Sequence, residues 1–300
     1  MDKRSSDVKT DAGPDARTDP GTGTLYVVAT PIGNRDDITL RAIKTLAAVD
    51  LVVAEDTRHT GRLLAHHNIS TAQSAYHEHN ETRKTPRLIK QLKAGDDIAL
   101  VTDAGTPGVS DPGYRLVTTA LSEGIQVVPI PGVSALITAL SVSGLPTDSF
   151  VFIGFLPPKK ARRLGQIESL ADDARTLIFY ESPKRIHRLV RELSSILGDR
   201  PAVLGREMTK LYEEFIRGRL SEIADQLADR STIKGECTLL VAGNTSKTQV
   251  PWELIHDSLA HALVAADRPL SAIVKEVAEE FKVSRNRVYK EALKIQSDEQ

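Results

Sequence analysis

The segment Asp103-Ala-Gly-Thr-Pro-Gly-Val-Ser-Asp-Pro-Gly113 places an acid directly after the apolar run Ile98–Thr102 and follows it with a turn rich in glycine and proline. An acid there can accept from hydroxyl or ammonium groups, while small residues let backbone amides come close to a ligand. If Ile98–Thr102 is a parallel strand, this loop lies at its carboxyl end, where open α/β sheets bind their ligands. Ala29-Thr-Pro-Ile-Gly-Asn34 and Pro129-Ile-Pro-Gly-Val-Ser-Ala135 follow apolar runs in the same way, so three loops converge on one sheet edge. Glu55-Asp-Thr-Arg58 adds two carboxylates and a guanidinium to that edge, and Asp56 or Thr57 is equally placed to cap a helix there. Ser134 lies in Gly-Val-Ser-Ala without the second glycine of a nucleophile elbow, which makes its hydroxyl a ligand contact rather than a hydrolase nucleophile. His59, His66, His67, His77 and His79 are metal-ligand types. No His-Glu-x-x-His occurs, however, and an alternating His77-Glu78-His79 in a strand would splay its side chains, so no metal is expected. The basic runs Lys159–Arg163 and Lys184–Arg191 either hold phosphates or form exposed helix surface.

Composition narrows the classes these residues can serve. The chain of 300 residues has 39 Lys+Arg against 40 Asp+Glu, so no wholesale basic coat drives nucleic-acid binding and any such contact must come from local patches. A single cysteine, Cys237, excludes an intrachain disulfide framework and a Cys-rich zinc site and fits a reducing cytoplasm. No apolar run reaches the ~18–20 residues of a membrane helix, and Met1–Gly23 has no apolar core of an export signal. Neither a G-x-G-x-x-G after the first strand nor a P-loop is present, which argues against a common dinucleotide fold and a P-loop NTPase.

The elements that must position these loops can be read from periodicity. Residues 1–22 are rich in Asp, Thr, Pro and Gly with almost no large apolar side chain, and read as a disordered tail. From residue 23 to 145, apolar runs Leu25–Ala29, Leu51–Ala54, Ile98–Thr102 and Val127–Pro129 alternate with helical periods at Leu40–Ala48, Thr82–Lys93, Tyr114–Ser122 and Val133–Ser141. That alternation demands crossover connections and an α/β domain with a parallel-rich sheet. After a seam at Ser143–Asp148, residues 146–245 carry strands at Phe150–Phe155, Thr176–Tyr180, Ala202–Gly205, Phe215–Arg219 and Cys237–Ala242, a second α/β domain. Asn244–Pro251 reads as a linker, and residues 251–300 as helical. Within them, Ser271–Phe281 and Arg285–Ile295 outline a helix-turn-helix with Ser284 as N-cap. Arg285, Arg287, Lys290 and Lys294 make its second helix basic, as nucleic-acid contacts or as a solvated face.

Several segments in fixed order carry a resemblance. Gly23–Asn34, Ala54–His59, Tyr76–Asn80, Thr102–Pro107, Ser110–Leu116, Pro131–Leu136, Gly144–Asp148, Phe179–Pro183, Arg206–Lys210 and Lys234–Glu236 together resemble the tetrapyrrole-methylase-like S-adenosylmethionine-dependent methyltransferases. The likeness is strongest to the branch that methylates small-subunit ribosomal RNA. The chain departs from that pattern at Arg35, where an apolar residue is usual, and at Val133, where proline is usual. The resemblance implies two α/β domains with S-adenosylmethionine in a deep cleft between them, a homodimer, and methylation of the ribose 2′-hydroxyl of a decoding-centre cytidine. The RNA partner would be 16S rRNA, free or within the 30S subunit. Carried over by position, the donor site comprises Pro31, Asp103, Ala104, Gly105, Val109, Ser134 and Ala135, with Phe155, Leu156, Tyr180 and Met208 from the second domain.

Methyl transfer to a ribose hydroxyl is an in-line displacement that gains from orientation and from a base for a weakly acidic proton. The expected catalytic groups are Glu55, Asp56 and Glu181 as base, with Arg58 and Lys184 on phosphates or developing oxyanion charge. Two rivals stand beside this reading: methylation of a corrin or tetrapyrrole precursor, and a DNA-binding regulator using the C-terminal helices.

Overall fold

The computed structural model describes residues 21–244, 252–264, 268–281 and 285–298. Most of the expected tail, most of the expected linker and Ser284 lie outside the described residues. The chain divides into two compact units, one containing both sheets and ending at Gly243, the other comprising the C-terminal helices together with the short segment Asp172–Ala174.

In the first half of the larger unit the order is β1 (Leu25–Val28), α1 (Leu40–Ala48), β2 (Leu51–Ala54), α2 (Thr57–His66), β3 (Gln73–Ala75), α3 (Glu81–Lys93), β4 (Ile98–Val101), α4 (Tyr114–Ser122), β5 (Val127–Ile130) and α5 (Ala135–Ser141). The five strands form one sheet in the order β3-β2-β4-β1-β5, and every pairing is parallel. Burial on both faces explains the continuous apolar reading of β4, all of whose residues are buried. One apolar layer packs around Tyr26, Val28, Leu46 and Leu64, and the other around Leu25, Tyr76, Leu92 and Leu116.

The connection after β1 runs toward β2 and the one after β4 runs toward β5, so the chain diverges between adjacent strands β1 and β4. That divergence is the switch point at which a ligand crevice opens. Here the two loops are pinned together: Thr30 and Gly105 exchange backbone hydrogen bonds at 2.9 and 3.0 Å, and the Thr30 hydroxyl donates to the Thr102 carbonyl. Gly105 can follow this path because its φ of +82° is open to a residue without Cβ.

The second half contains β6 (Phe150–Phe155), α6 (Lys160–Glu168), β7 (Thr176–Glu181), α7 (Pro183–Leu197), β8 (Pro201–Arg206), β9 (Glu214–Arg219), α8 (Leu220–Ala228) and β10 (Cys237–Val241). Its sheet order is β6-β7-β10-β8-β9, with β6 and β7 parallel and the remaining pairs antiparallel. The last strand is thus inserted in the middle. Two differences from sequence expectation have local causes. Helix α5 starts at Ala135 rather than Val133, because Ser134 holds an extended backbone as its N-cap. Arg163, read as surface or as a phosphate ligand, is instead 2% exposed. Its guanidinium forks onto Glu192 of α7 at 2.7 and 2.8 Å and donates to the Pro157 and Pro158 carbonyls.

The two halves share an apolar cluster, with Ile32, Leu136, Ala139 and Leu140 from the parallel half meeting Ile178, Val203, Met208 and Leu240 from the mixed half. By area bookkeeping at ~25 cal/mol per Å², full burial of such side chains is worth ~1.5–3 kcal/mol each, ample to fix the geometry of the cleft above them.

The second unit packs α9 (Trp252–Val264), α10 (Leu270–Glu280) and α11 (Arg285–Asp298) around Ile255, Leu259, Ile273, Val277, Val288 and Ala292. Among the described residues no helix is long and apolar enough to cross a membrane.

Candidate active site

Where the loops after β1, β2, β4 and β5 face the ends of β6, β7 and β10, they enclose a cavity of about 390 Å³. That is within the range of small-molecule sites. Ten residues singled out from sequence line it: Glu55, Asp103, Ala104, Gly105, Val109, Ser134, Ala135, Phe155, Tyr180 and Glu181. A second, wider cavity of about 640 Å³ adjoins it, sharing Glu55, Ser110 and Asp111 and continuing over Glu78, Glu81, Tyr114 and Arg115. Two adjoining cavities that share residues are the arrangement a two-substrate transfer needs.

Six other expected residues lie outside the lining. Met208 is buried in the apolar cluster joining the halves, so it supports the floor beneath Ile32 and Tyr180. Leu156 is buried in the core of the mixed half. Pro31 is half-buried beside Ile32, which does line the cavity, and Lys184 is exposed in the first turn of α7. Asp56 resolves the capping alternative at α2: its Oδ1 accepts the Arg58 N–H at 2.8 Å, and its carboxylate also takes Arg58 Nε and Nη2. That fork holds the Asp56 carboxyl well below the usual carboxylate range. The Asp56 backbone N–H in turn donates to Asp103 Oδ1 at 3.1 Å, so the cap of α2 orients an acid of the cavity wall.

The remaining carboxylates are distinguished by their partners. Glu181 is 2% exposed, and its Oε1 accepts both the Ser182 N–H and Arg185 Nε at 2.7 Å. Glu55 Oε2 accepts the Thr102 hydroxyl at 2.9 Å. Asp111, which sequence reasoning left unassigned inside the 103–113 loop, lines both cavities. Burial pushes its carboxyl up to about 7, with the neighbouring Glu55 charge adding to the effect. Glu236, Cys237 and Thr238 also enter the wall, brought there by the central position of β10, for which the sequence carries no local signal. Burial drives the Cys237 thiol up to about 12, which leaves it protonated and inert. His77, Glu78 and His79 follow β3 instead of lying in a strand. Among the described residues no three acidic, histidine or cysteine side chains form a metal-holding group.

The profile of the Tetrapyrrole (Corrin/Porphyrin) Methylases matches residues 24–224. The chain belongs to this methylase family. Two curated members named "Ribosomal RNA small subunit methyltransferase I" illustrate its nearer relatives. The one from Halalkalibacterium halodurans is 49% identical over 89% of this chain and 93% of its own. The one from Vibrio cholerae is 47% identical over 92% and 96%. Among solved methylases, cobalt precorrin-4 methyltransferase, a cobalamin biosynthetic enzyme, shares the fold with a TM-score of 0.57 at 18% identity, covering 73% of this chain and 94% of that one. A uroporphyrin-III C-methyltransferase from Thermus thermophilus, complexed with S-adenyl homocysteine, gives 0.52 at 21%, covering 73% and 97%.

As a member of an S-adenosylmethionine-dependent methylase family, the chain takes S-adenosylmethionine as its methyl donor, and the cavity fits it. The walls combine the apolar surface of Ile32, Val109 and Phe155 with the small residues Ala104, Gly105 and Ala135, over which a flat nucleoside can lie close to backbone. Asp103 and Glu55 would offer acceptors for its hydroxyl and ammonium groups and a negative field for a sulfonium.

Proposed function

We propose that this methylase transfers a methyl group to the ribose 2′-hydroxyl of a cytidine in small-subunit ribosomal RNA. The observation that carries the reading is likeness over nearly the whole chain, at 44–49% identity, to curated proteins named for small-subunit ribosomal RNA methylation. Supporting it, the donor cavity adjoins a second one of about 640 Å³ that could take an unpaired, splayed nucleotide, with the exposed ring of Tyr114 in its lining as a surface for base stacking.

In this reading the donor lies against Asp103, Ala104, Gly105, Val109, Ser134 and Ala135 on one wall and Phe155 and Tyr180 on the other. S-adenosylmethionine supplies an electrophilic methyl group on a positively charged sulfur. The protein's first task is alignment, which can contribute up to ~7–11 kcal/mol when reacting groups are held at attack distance. Its second is to accept the proton of a weakly acidic hydroxyl, worth typically ~10²–10⁴-fold. The RNA partner is 16S rRNA, within the 30S subunit or free. The exposed cations of α11, Arg285, Lys290 and Lys294, serve as its docking points in this reading. The working protein is a cytoplasmic homodimer.

The test incubates purified protein with methyl-labelled S-adenosylmethionine and small subunits lacking their modifications, then maps ribose methylation. The expected result is label on one decoding-centre cytidine 2′-oxygen. Absence of label on subunits and free rRNA, with donor binding intact, overturns the reading in favour of a small-molecule methylase.

A further inference from the structure

The ribose reading requires a group able to accept a proton at neutral pH, and the carboxylates expected from sequence are committed elsewhere. Asp56 is forked onto Arg58, Glu181 is held by Ser182 and Arg185, and Glu55 accepts the Thr102 hydroxyl. Asp111 stands where the donor cavity and the groove meet, lining both. Thr102 is within hydrogen-bonding reach of Asp111 as well as Glu55, to whose Oε2 it lies at 2.9 Å. One hydroxyl proton thus serves two carboxylates, and Asp111, lining both cavities, keeps acceptor capacity for a substrate proton.

The local backbone is built to hold Asp111 in that position. Ser110 adopts a φ of +65°, a left-handed conformation that is strained for a residue with Cβ. Facing it is Gly154, at the bulge of β6, whose missing side chain makes room for the Ser110 hydroxyl: a Cβ there would come within 2.7 Å of Ser110 Oγ. The mixed sheet thus packs directly against the turn that presents Asp111. The groups facing it are Glu55 after β2, Asp103 after β4, Glu236 before β10 and the Tyr180 phenol on β7. Arg115, the cation of the groove, is engaged by Glu81 at 3.2 Å.

We propose that Asp111 is the general base of the transfer: its carboxylate removes the proton of the ribose 2′-hydroxyl as the 2′-oxygen bonds to the methyl carbon. The carbon–sulfur bond breaks with its electron pair left on sulfur, and Asp111 later passes the proton to water. This rests on the ribose reading above. A carboxyl titrating near neutrality is matched to this task, since a base is most effective when its pKa lies close to the working pH.

The experiment measures single-turnover methyl transfer to unmodified small subunits at saturating donor, from about pH 5.5 to 9, alongside donor affinity by calorimetry. Asp111→Asn should lower the rate by about 10²–10⁴-fold, with donor affinity kept within about threefold and the inflection near neutrality gone. Asp111→Glu should regain part of the rate with a displaced inflection, and Glu55→Gln should move the inflection to lower pH by removing a like charge. Asp111→Asn with a near-normal rate and an unchanged inflection overturns the proposal, as does a rate loss matched by lost donor affinity. Wild-type protein silent on every ribose overturns the ribose reading and this proposal together, whereas an active Asp111→Asn overturns this proposal alone.

Discussion

The Tyr180 hydroxyl, on β7 of the mixed sheet, accepts the backbone N–H of Leu136, in the first turn of α5 beyond the parallel sheet, at 3.0 Å. A helix start leaves its first N–H groups without partners inside the helix, and here one of them is satisfied by a side chain from across the cleft. The Tyr180 ring is held edge-on by Phe152 and Phe155, with centroids 4.9 and 5.8 Å away. Since Tyr180, Phe155 and Ala135 all line the same cavity, this one bond ties its two walls together.

Tyr180→Phe keeps the ring packing and removes the acceptor, leaving the Leu136 N–H without its partner. Folding stability should drop by about 1–3 kcal/mol, the cost of an unsatisfied buried donor. Donor affinity should fall at the same time because the walls lose their registration. Urea unfolding and donor calorimetry on the same variant check both effects, and unchanged donor affinity would mean that α5 holds its position without the bond.

Arg163 and Glu192 make a prediction confined to stability. Removing the guanidinium with Arg163→Ala strands Glu192 and two proline carbonyls, and should cost about 3–5 kcal/mol. The paired substitution Arg163→Met with Glu192→Leu should recover the part of that loss due to the stranded carboxylate, because two apolar side chains of similar volume need no partners, while the two proline carbonyls remain without their donor. Donor affinity of the folded variants should match wild type, since neither residue lines the cavity. Denaturant midpoints of the single and double variants decide it.

Asp111 should also make stability fall as pH rises. Its carboxyl moves from an ordinary 3.8 to about 7 on folding, so between those values the native state holds a proton that the unfolded chain has released. Stability attributable to this group is complete below about pH 4 and declines until about pH 7. Asp111→Asn should therefore be the more stable protein at about pH 8, by about 1–3 kcal/mol after allowance for solvent screening, and the difference should vanish near pH 4. Glu214 acts with the opposite sign: the Arg230 guanidinium, aided by Arg206, draws its carboxyl down to about 2, so its contribution is lost on acidification. The difference between variant and wild type cancels that contribution, and urea midpoints at about pH 4, 6 and 8 read it directly.

What the sequence made legible follows from the range over which each feature is determined. The strand β4 and the helices α1 and α4 are set by periodicity within their own residues and were readable to within a residue. So was the convergence of the loops after β1, β4 and β5, because the parallel α/β pattern alone puts them on one edge. The pinning of two of those loops through Thr30 and Gly105, far apart in the chain, depends on strand order and leaves no local trace. The same holds for Glu236 and Thr238, which reach the cavity only because β10 inserts between β7 and β8. The burial of Arg163 is not legible because a basic run reads as surface unless its partner, Glu192 on a different helix, is known. For Asp111 a signal did exist: a Ser-Asp-Pro-Gly turn inside a strand-end loop constrains the backbone on both sides of an acid.

The helical unit supplies the last prediction. Its core residues Val288, Ala292 and Ile295 occupy one face of α11, while Arg285, Tyr289, Lys290 and Lys294 are exposed. With near-neutral net charge over the whole chain, affinity for a polyanion must come from local cations of this kind. Arg285→Glu and Lys290→Glu alter exposed positions and should leave the fold and donor affinity unchanged, since surface substitutions usually stay within about 0.5 kcal/mol. Each lost phosphate contact should reduce the salt dependence of rRNA binding by about one unit of slope, so the double variant should bind more weakly and with a slope about two units shallower. Binding measured across a salt series tests this: weakened binding with an unaltered slope would remove these cations from the RNA contact, and equal loss of donor and RNA affinity would make α11 a structural element only.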